Sequence, residues 1–171
     1  MEITEQLLMK IPIFKGLKEE HLKIVKEIIE IKEFEEDTAV IKEGEAGDEI
    51  YILLDGEVEV SKTLVLKLPG SEIGQKEKSL TKLSSESFPF FGEMVLFDER
   101  AERTATVITR KPCKFAIIHK NDFINLAEKN NEIGYVLYKN IAEVLAERLR
   151  KANNDILKLT TALSLILSRS I

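Results

Sequence analysis

The chain has 171 residues, and 25 lysines and arginines against 30 aspartates and glutamates give a formal net charge of −5. This length favours one domain with a modest appendage, and the negative charge argues against a general nucleic-acid binder, which carries a basic face. The single cysteine, Cys113, excludes an internal disulfide. The sequence shows no signal peptide and no apolar run long enough to span a bilayer. We therefore expect a cytoplasmic protein without a membrane partner.

The first zone of the chain has a helical pattern. After a break at Pro12 and Gly16, apolar residues recur at helical spacing, and they are Leu22, Val25, Ile28 and Ile29. Glu19 and Glu20 favour a helix start at this point, because acidic side chains interact favourably with the N-terminal end of a helix. The pattern predicts N-terminal helices before the first strand.

From Ile31 to about His119, short apolar runs alternate with turn signals. The predicted strands are Ala39–Ile41, Ile50–Leu54, Glu57–Ser61, Leu64–Leu68, Ser79–Leu83, Thr104–Thr109 and Lys114–Ile118. The pair Asp55 and Gly56 predicts a hairpin, because glycine tolerates the positive φ of a type I′ turn. The polar segment Pro69–Lys78 is predicted to be a mobile loop. Many short strands at close spacing predict an antiparallel sandwich, barrel or jelly roll.

After Lys120 the helical period returns. Asn121 or Asp122 caps a short predicted helix over Phe123–Lys129, and a long helix is predicted from about Glu132. Apolar residues in the long helix alternate at spacings of three and four, as in a coiled-coil seam. These residues are Leu149, Ala152, Ile156, Leu159, Leu163 and Ile166. We expect a parallel homodimer through this stripe. The alternative is that the helix folds back on its own strands.

The sequence gives little support for an enzyme. Jelly-roll metalloenzymes need about two histidines plus a carboxylate, and this chain has only His21 and His119, the first of them on a predicted helix. There is no GxSxG elbow, no Walker loop and no GxGxxG after a strand. Cys113 is predicted to fill apolar space. We therefore expect no catalytic residues, no metal and no cofactor.

The segment Phe91–Val107 combines a glycine, a carboxylate and an arginine. Gly92 lets the backbone approach a ligand and opens an apolar turn of helix, whose free N–H groups attract an anion. Arg103 begins a strand, where an inward guanidinium needs an anionic partner such as a phosphate. Glu93 would repel a phosphate and suits a sugar hydroxyl. These residues together describe a nucleotide site. The alternative is a plain salt bridge between Glu93 and Arg103.

Three segments of the chain resemble the cyclic nucleotide-binding domain family. They are Ile11–Leu17, Ile41–Val60 with its spaced glycines, and Phe91–Val107, which resembles the phosphate-binding cassette of the family. The resemblance implies an α+β fold. Its core is an antiparallel jelly-roll β-roll, with flanking N-terminal helices, a short cassette helix and a long C-terminal helix. We accordingly divide the chain into a nucleotide-binding domain over 1–131 and a lid and dimerisation helix over 132–171.

The resemblance also implies a role for individual residues. The implied ligand-binding residues are Gly92, Glu93, Met94, Arg103, Thr104, Ala105, Asn153 and Asn154. Arg103 would pair with the cyclic phosphate, and Thr104 with the backbone of Ala105 would complete the phosphate cradle. The backbone of Gly92 and the carboxylate of Glu93 would hold the ribose 2′-hydroxyl. The two asparagines on the long helix would face the base.

The resemblance therefore implies a regulatory sensor of cAMP or cGMP that performs no chemistry. The alternative is a scaffold that kept the fold and binds no nucleotide. A DNA-binding regulator is disfavoured, because no helix-turn-helix follows the long helix, and Arg148–Lys151 is interpreted as a solvated helix face. One departure from the family is that Ser84–Phe90, which leads into the cassette, contains no glycine.

Overall fold

The computed structural model describes residues 3–66, 74–98 and 102–168. Helices α1 (Glu5–Leu8) and α2 (Glu19–Lys26) flank a 3₁₀ turn at Pro12–Phe14. The strands are β1 (Glu30–Phe34), β2 (Ala39–Ile41), β3 (Glu49–Asp55), β4 (Glu57–Leu66), β5 (Gly74–Ser84), β6 (Phe90–Phe91), β7 (Thr106–Thr109) and β8 (Cys113–His119). Further 3₁₀ turns lie at Ser85–Ser87 and Glu93–Leu96, and helices α3 (Lys120–Lys129) and α4 (Asn131–Ser168) follow.

The strands form two antiparallel sheets, in the orders β1-β8-β3-β6 and β2-β7-β4-β5. Apolar side chains from both sheets meet in one cluster, because alternate residues of each strand point to the inner face. The buried members are Ile41, Tyr51, Leu53, Val58, Phe91, Val107, Cys113, Phe115 and Ile117. The predicted β-roll with flanking helices is confirmed.

The hairpin predicted at Asp55 and Gly56 is wrong. β3 and β4 belong to different sheets, so this turn carries the chain from one sheet to the other. Gly56 does have the expected positive φ, at 96°. An added Cβ there would collide with the side chain of Cys113, so the corner requires glycine for space as well as for conformation.

The loop predicted over Pro69–Lys78 is also partly wrong. β5 begins at Gly74, and β4 pairs with it as far as Leu66 opposite Gly74. The polar composition indicated a loop. A polar strand can nevertheless form here, because the hydrogen bonds between β4 and β5 pair the backbone N–H and C=O groups whatever the side chains are. The first part of the predicted loop, 69–73, lies outside the described residues.

The helices share a second core with the outer face of one sheet. Ile133, Leu137 and Ile141 of α4 are buried there with the N-terminal helices. The buried amide of Asn140 donates to the carbonyl oxygens of Ile13 (2.9 Å) and Lys15 (2.8 Å), which fixes the first half of α4 to the 3₁₀ turn at Pro12–Phe14. The predicted helices are confirmed, although α2 ends before Ile28 and Ile29.

The second half of α4 is exposed from 146 to 168. The apolar members of the predicted seam, leaving the small Ala152 aside, are between 56% and 67% exposed. The large apolar residues of the seam therefore do not pack onto the β-roll, which was the alternative to a dimer. No helix within the described ranges is long and apolar enough to cross a membrane.

Candidate functional site

A cleft of about 540 Å³ lies between the β4–β5 hairpin, the segment 91–107 and α4. This volume is within the range of small-molecule sites. The apolar wall consists of Ile41, Val60, Leu80, Leu83, Phe91, Val107 and Ala152. The polar and charged residues that line the cleft are Thr81, Glu93, Thr104, Arg148, Lys151 and Asp155.

Arg103 does not itself line the cleft: its side chain is only 5% exposed and lies against Gly92, which does line it. Its Nη2 donates to the carboxylate of Glu49 at 2.6 Å, and its Nη1 donates to the Glu49 carbonyl oxygen at 2.9 Å. The guanidinium carbon lies 5.9 Å from the centre of the Tyr51 ring, and burial raises the pKa of Tyr51 to about 12. The guanidinium is thus held by the carboxylate and carbonyl of Glu49 and lies beside one aromatic ring.

Two glycines approach the Arg103 guanidinium closely. A Cβ at Gly92 would lie 2.9 Å from Nη1 and 2.7 Å from the carbonyl oxygen of Glu49. A Cβ at Gly47 would collide with the guanidinium itself. Both positions therefore exclude a side chain. The approach of the Gly92 backbone to a ligand stays a prediction.

Gly92 also begins the cassette turn. It has a left-handed backbone with φ 82° and precedes the 3₁₀ turn Glu93–Leu96. Glu93, the next residue, has a side chain that is only 5% exposed, while Met94 is 45% exposed at the cleft. The turn therefore buries the carboxylate next to the cleft and leaves the methionine at its rim.

Glu93 and Arg103 do not pair with each other. Glu93 Oε1 accepts a hydrogen bond from Arg148 Nη1 at 2.8 Å, whereas Arg103 pairs with Glu49. The plain salt bridge that was the alternative to a ligand site is therefore absent. The Glu93 carboxylate, which follows Gly92 in the chain, is held by Arg148. The Arg103 guanidinium, which lies against Gly92 in space, is held by Glu49.

Thr104 and Ala105 line the cleft directly after Arg103. The predicted strand began at Thr104, but β7 begins only at Thr106. Backbone hydrogen bonds hold the segment before β7 in place. The Arg103 N–H donates to the Glu45 carbonyl oxygen at 2.9 Å, and the Arg103 carbonyl oxygen accepts from the Gly44 N–H at 2.9 Å. The two residues are thus positioned at the cleft without belonging to the sheet ladder.

Arg148 is a site residue that sequence reasoning missed. The solvated helix face proposed for Arg148–Lys151 is wrong for this arginine, which also donates to the Phe90 carbonyl and lies over the Phe90 ring at 5.3 Å. Arg148, Lys151, Ala152 and Asp155 have the spacing of one helix face. This spacing is visible in the sequence, but the sequence does not tell which face of α4 meets the β-roll.

Asn153 and Asn154 are exposed on α4. Neither lines the cleft of its own chain, because both lie on other faces of the helix than Arg148 and Asp155. Their contact with a base stays a prediction.

The turn that precedes the cassette contains a residue with a left-handed backbone conformation, and this residue is not a glycine. After the 3₁₀ turn Ser85–Ser87, Phe88 has φ 46° and ψ 54°. Its partly buried ring packs against the helical core, which compensates for a conformation that non-glycine residues seldom adopt. Phe88 thus adopts, within Ser84–Phe90, a backbone conformation that glycine adopts readily.

The histidines and the cysteine lie outside the cleft. His21 is 3.5 Å from Glu132, and His119 is 3.5 Å from Asp48. Cys113 is buried as predicted, and burial raises the pKa of its thiol. Among the residues that the structure describes, no group of three or more metal-binding side chains could hold an ion.

Known proteins similar to this chain are regulators. It is 35% identical over 105 residues to a cAMP-dependent protein kinase regulatory subunit of Mycosarcoma maydis, covering 61% of this chain and 18% of that protein. It is 32% identical over 124 residues to the cAMP-activated global transcriptional regulator CRP of Pasteurella multocida, covering 72% of this chain and 54% of that one. The chain thus spans about a fifth to about half of the length of these relatives.

The fold has solved counterparts as well. The catabolite activator protein of Thermus thermophilus superposes with a TM-score of 0.70 over 87% of this chain and 63% of that one, at 23% identity. A family model described as the cyclic nucleotide-binding domain matches residues 31–130. The match covers more than half of the chain and includes both sheets, Gly92, Glu93 and Arg103. The chain therefore belongs to the cyclic nucleotide-binding domain family.

Proposed function

We propose that this chain is a regulatory sensor domain that binds cAMP or cGMP reversibly in the cleft and performs no catalysis. The observation that carries the proposal is a pair of buried, oppositely charged groups next to Gly92: the carboxylate of Glu93, which follows it in the chain, and the guanidinium of Arg103, which lies against it. Arg103 supplies a cation for the cyclic phosphate, and Glu93 supplies an acceptor for the ribose. The names of the relatives, a kinase regulatory subunit and a transcriptional regulator, support a regulatory role.

The phosphate end of the site favours a singly charged anion. Glu49 engages two nitrogens of Arg103, and a guanidinium has five N–H donors, so some remain for phosphate oxygens. The backbone N–H groups at Thr104 and Ala105 add neutral donors. Because the carboxylates of Glu49 and Glu93 lie nearby, a linear monophosphate with its extra negative charge is expected to bind more weakly than the cyclic ester.

The ribose end depends on Glu93 and Arg148. The 2′-hydroxyl would donate to the Glu93 carboxylate, whose other oxygen is held by Arg148. This contact links the ligand to α4, because Arg148 lies on that helix. Met94, at the rim of the cleft, would cover the sugar from outside.

We further propose that two copies pair in parallel through the exposed half of α4. With the seam residues at heptad positions a and d, Arg148 occupies a g position and Asn153 an e position. In a parallel coiled coil, each g residue lies beside the e residue of the following heptad on the other helix. The partner's Asn153 would thus lie beside Arg148, at the mouth of the cleft. This arrangement would bring a predicted base-contacting residue to the site, with Asn154 further out.

Calorimetric titration of refolded, nucleotide-free protein tests the function. We expect saturable binding of cAMP or cGMP with one site per chain, and at least about tenfold weaker binding of 5′-AMP. Refolding removes any nucleotide that copurifies and occupies the site. Absence of heat with both cyclic nucleotides, from protein with native circular dichroism, would favour the scaffold alternative instead.

A further inference from the structure

The last turns of α4 are apolar on several faces. Between 146 and 155 the helix carries five charged residues, whereas between 156 and 168 it carries only Lys158. Seven large apolar side chains in the second range are between 56% and 67% exposed, and they are Ile156, Leu157, Leu159, Leu163, Leu165, Ile166 and Leu167. We propose that two dimers of this chain join through this end of α4 and form a tetramer. The inference rests on the pairing of two copies in the proposed function and extends it to a second interface.

A two-stranded coiled coil covers only part of this apolar surface. Its e and g positions are commonly charged, but here the e and g residues after Asp155 are uncharged. They are Thr160, Ala162 and Leu167. Leu157 at position b and Leu165 at position c widen the apolar surface further, beside e and g. A broad face of this kind is typical of a helix in a bundle, whereas a narrow stripe at a and d is typical of a two-stranded coil.

The residue types at a and d change along the seam. In parallel coiled coils, isoleucine at a with leucine at d favours two strands, whereas leucine at a with isoleucine at d favours three or four. Ile156 and Leu159 have the two-stranded pattern, and Leu163 and Ile166 have the pattern of the higher assemblies. The sequence therefore favours a pair in the middle of the seam and a larger assembly at its end. Because the unit is a dimer, the larger assembly has four helices.

The polar side chains of this segment do not oppose burial between helices. The hydroxyl of Thr161 donates to the carbonyl oxygen of Leu157 at 2.8 Å, and that of Ser164 donates to Thr160 at 2.9 Å. The hydroxyls of Thr160 and Ser168 also donate to carbonyl oxygens of the preceding turn. Each of these donors has its partner within α4. Enclosing them between helices therefore leaves no donor unsatisfied.

A lipid surface is the other kind of partner that such a helix end can contact. Helices that lie on a membrane carry a face rich in lysine and arginine, whereas 156–168 contains one lysine, whose Nζ lies 3.4 Å from the Asp155 carboxylate. The segment is about 20 Å long at 1.5 Å per residue, and the hydrocarbon core of a bilayer is about 30 Å thick. A second dimer presents the same apolar faces and needs no opposite charge.

The extent of the seam also favours a second contact. The seam from Leu149 to Ile166 spans less than three heptads and has the small Ala152 at one d position. Stable interfaces commonly bury about 800 Å² on each partner, which a short two-stranded seam does not reach readily. Joining two dimers gives each helix a further apolar neighbour, and so increases the buried area.

The test measures the mass of the full chain by light scattering and sedimentation, from micromolar to hundreds of micromolar. We expect the wild-type mass to rise from that of a dimer to that of a tetramer. The decisive variant combines Leu163→Ile with Ile166→Leu, which gives the last heptad the two-stranded pattern at unchanged composition. This variant should stay a dimer throughout.

The matched control makes the opposite exchange one heptad earlier, Ile156→Leu with Leu159→Ile. It should form the tetramer at lower concentration than wild type, because both heptads then have the pattern of the higher assemblies. Leu157→Glu with Leu165→Glu, which places charges beside the second interface and outside the seam, should stay a dimer.

Three results would overturn the inference. A wild type that stays dimeric over the whole range, or a Leu163 and Ile166 exchange variant that forms tetramers as wild type does, overturns the second interface and leaves the pairing intact. A wild-type dimer that forms no tetramer and floats with vesicles of phosphatidylcholine and phosphatidylserine would assign the surface to lipid instead. A wild type that is monomeric throughout would overturn the pairing and this inference together, while calorimetry tests nucleotide binding separately.

Discussion

Gly47 determines where Arg103 can lie, and its replacement gives a first prediction. In Gly47→Ala the new methyl group would occupy the space of the guanidinium and separate it from Glu49. We expect nucleotide affinity to fall at least about tenfold, as for a lost charge-assisted contact. Isothermal titration calorimetry measures the loss.

Gly16→Ala is the control for substituting a glycine. Gly16 has φ 91°, so alanine there costs about 1 kcal/mol in conformational strain, but the residue does not line the cleft. Its variant should be less stable and bind nucleotide normally. Equal affinities for the Gly47 variant and wild type would show that the position of the guanidinium does not matter.

Arg148 gives a prediction that joins stability to binding. Arg148→Ala removes the cation beside the buried carboxylate of Glu93 and should lower the free energy of unfolding by about 1–3 kcal/mol. Nucleotide affinity should fall about tenfold, because the acceptor for the ribose is no longer fixed. Urea unfolding and calorimetry measure the two effects. Arg150→Ala, at an exposed position outside the cleft, is the control and should change neither the free energy of unfolding nor the affinity. If Arg148→Ala also left both quantities unchanged, Arg148 would not be part of the site.

The sequence singled out the cassette residues as a candidate site, which stays a prediction, whereas it did not indicate the side chains that pair with them. Gly92, Glu93 and Arg103 lie within one short segment, so residue type and spacing indicated a nucleotide site. Glu49 and Arg148 come from β3 and from α4, distant in sequence from that segment. The pairing of charges across such distances depends on how the sheets and the helix are arranged, which local patterns do not encode.

At the scale of elements, the packing of α3 against α4 gives a prediction with an unusual sign. Glycine to alanine within a helix ordinarily stabilises it by about 1 kcal/mol. A Cβ at Gly134 would, however, lie 2.6 Å from the carbonyl oxygen of Ala127 in α3. Gly134→Ala should therefore destabilise the protein by about 1–3 kcal/mol, as in overpacked cores.

Thermal and urea unfolding check this prediction for Gly134. Glu147→Ala, on an exposed face of the same helix, is the control and should be neutral or slightly stabilising. A Gly134→Ala variant more stable than wild type would mean that α3 and α4 are not in close contact at this point.

The elements themselves were largely predictable, and the errors have a common cause. Helices α2, α3 and α4 follow from apolar periodicity and most strands from short apolar runs. The turn at Gly56 was interpreted as a hairpin because its residues fit that turn locally, yet the chain changes sheets there. The start of β5 at Gly74 was missed because cross-strand pairing with β4 stabilises residues whose composition indicates a loop.

At the scale of the whole molecule, the exposed half of α4 predicts a dimer. Ile156→Glu combined with Leu163→Glu places charges in the seam and should give a folded monomer, since both positions are exposed in the single chain. Light scattering after gel filtration measures the mass. Nucleotide affinity should change in this variant if α4 of the partner contributes to the cleft.

Leu157→Glu combined with Leu165→Glu is the matched control for the dimer. These two leucines are 65% and 59% exposed but lie off the seam, so their variant should remain dimeric. A wild-type monomer at tens of micromolar would contradict the dimer. A seam variant that is monomeric and binds nucleotide as wild type does would contradict the contribution of the partner helix.

The most direct test of the central claim is the affinity of Arg103→Ala for cAMP and cGMP, measured by calorimetry on refolded protein. Removing one member of a buried charged contact costs about 2–5 kcal/mol, so both affinities should fall by about 30-fold to a few thousand-fold. Arg103→Lys keeps the charge without the planar fork and should lose less. Native circular dichroism of the variants confirms that they fold. A folded Arg103→Ala protein that binds either nucleotide as tightly as wild type would contradict the account.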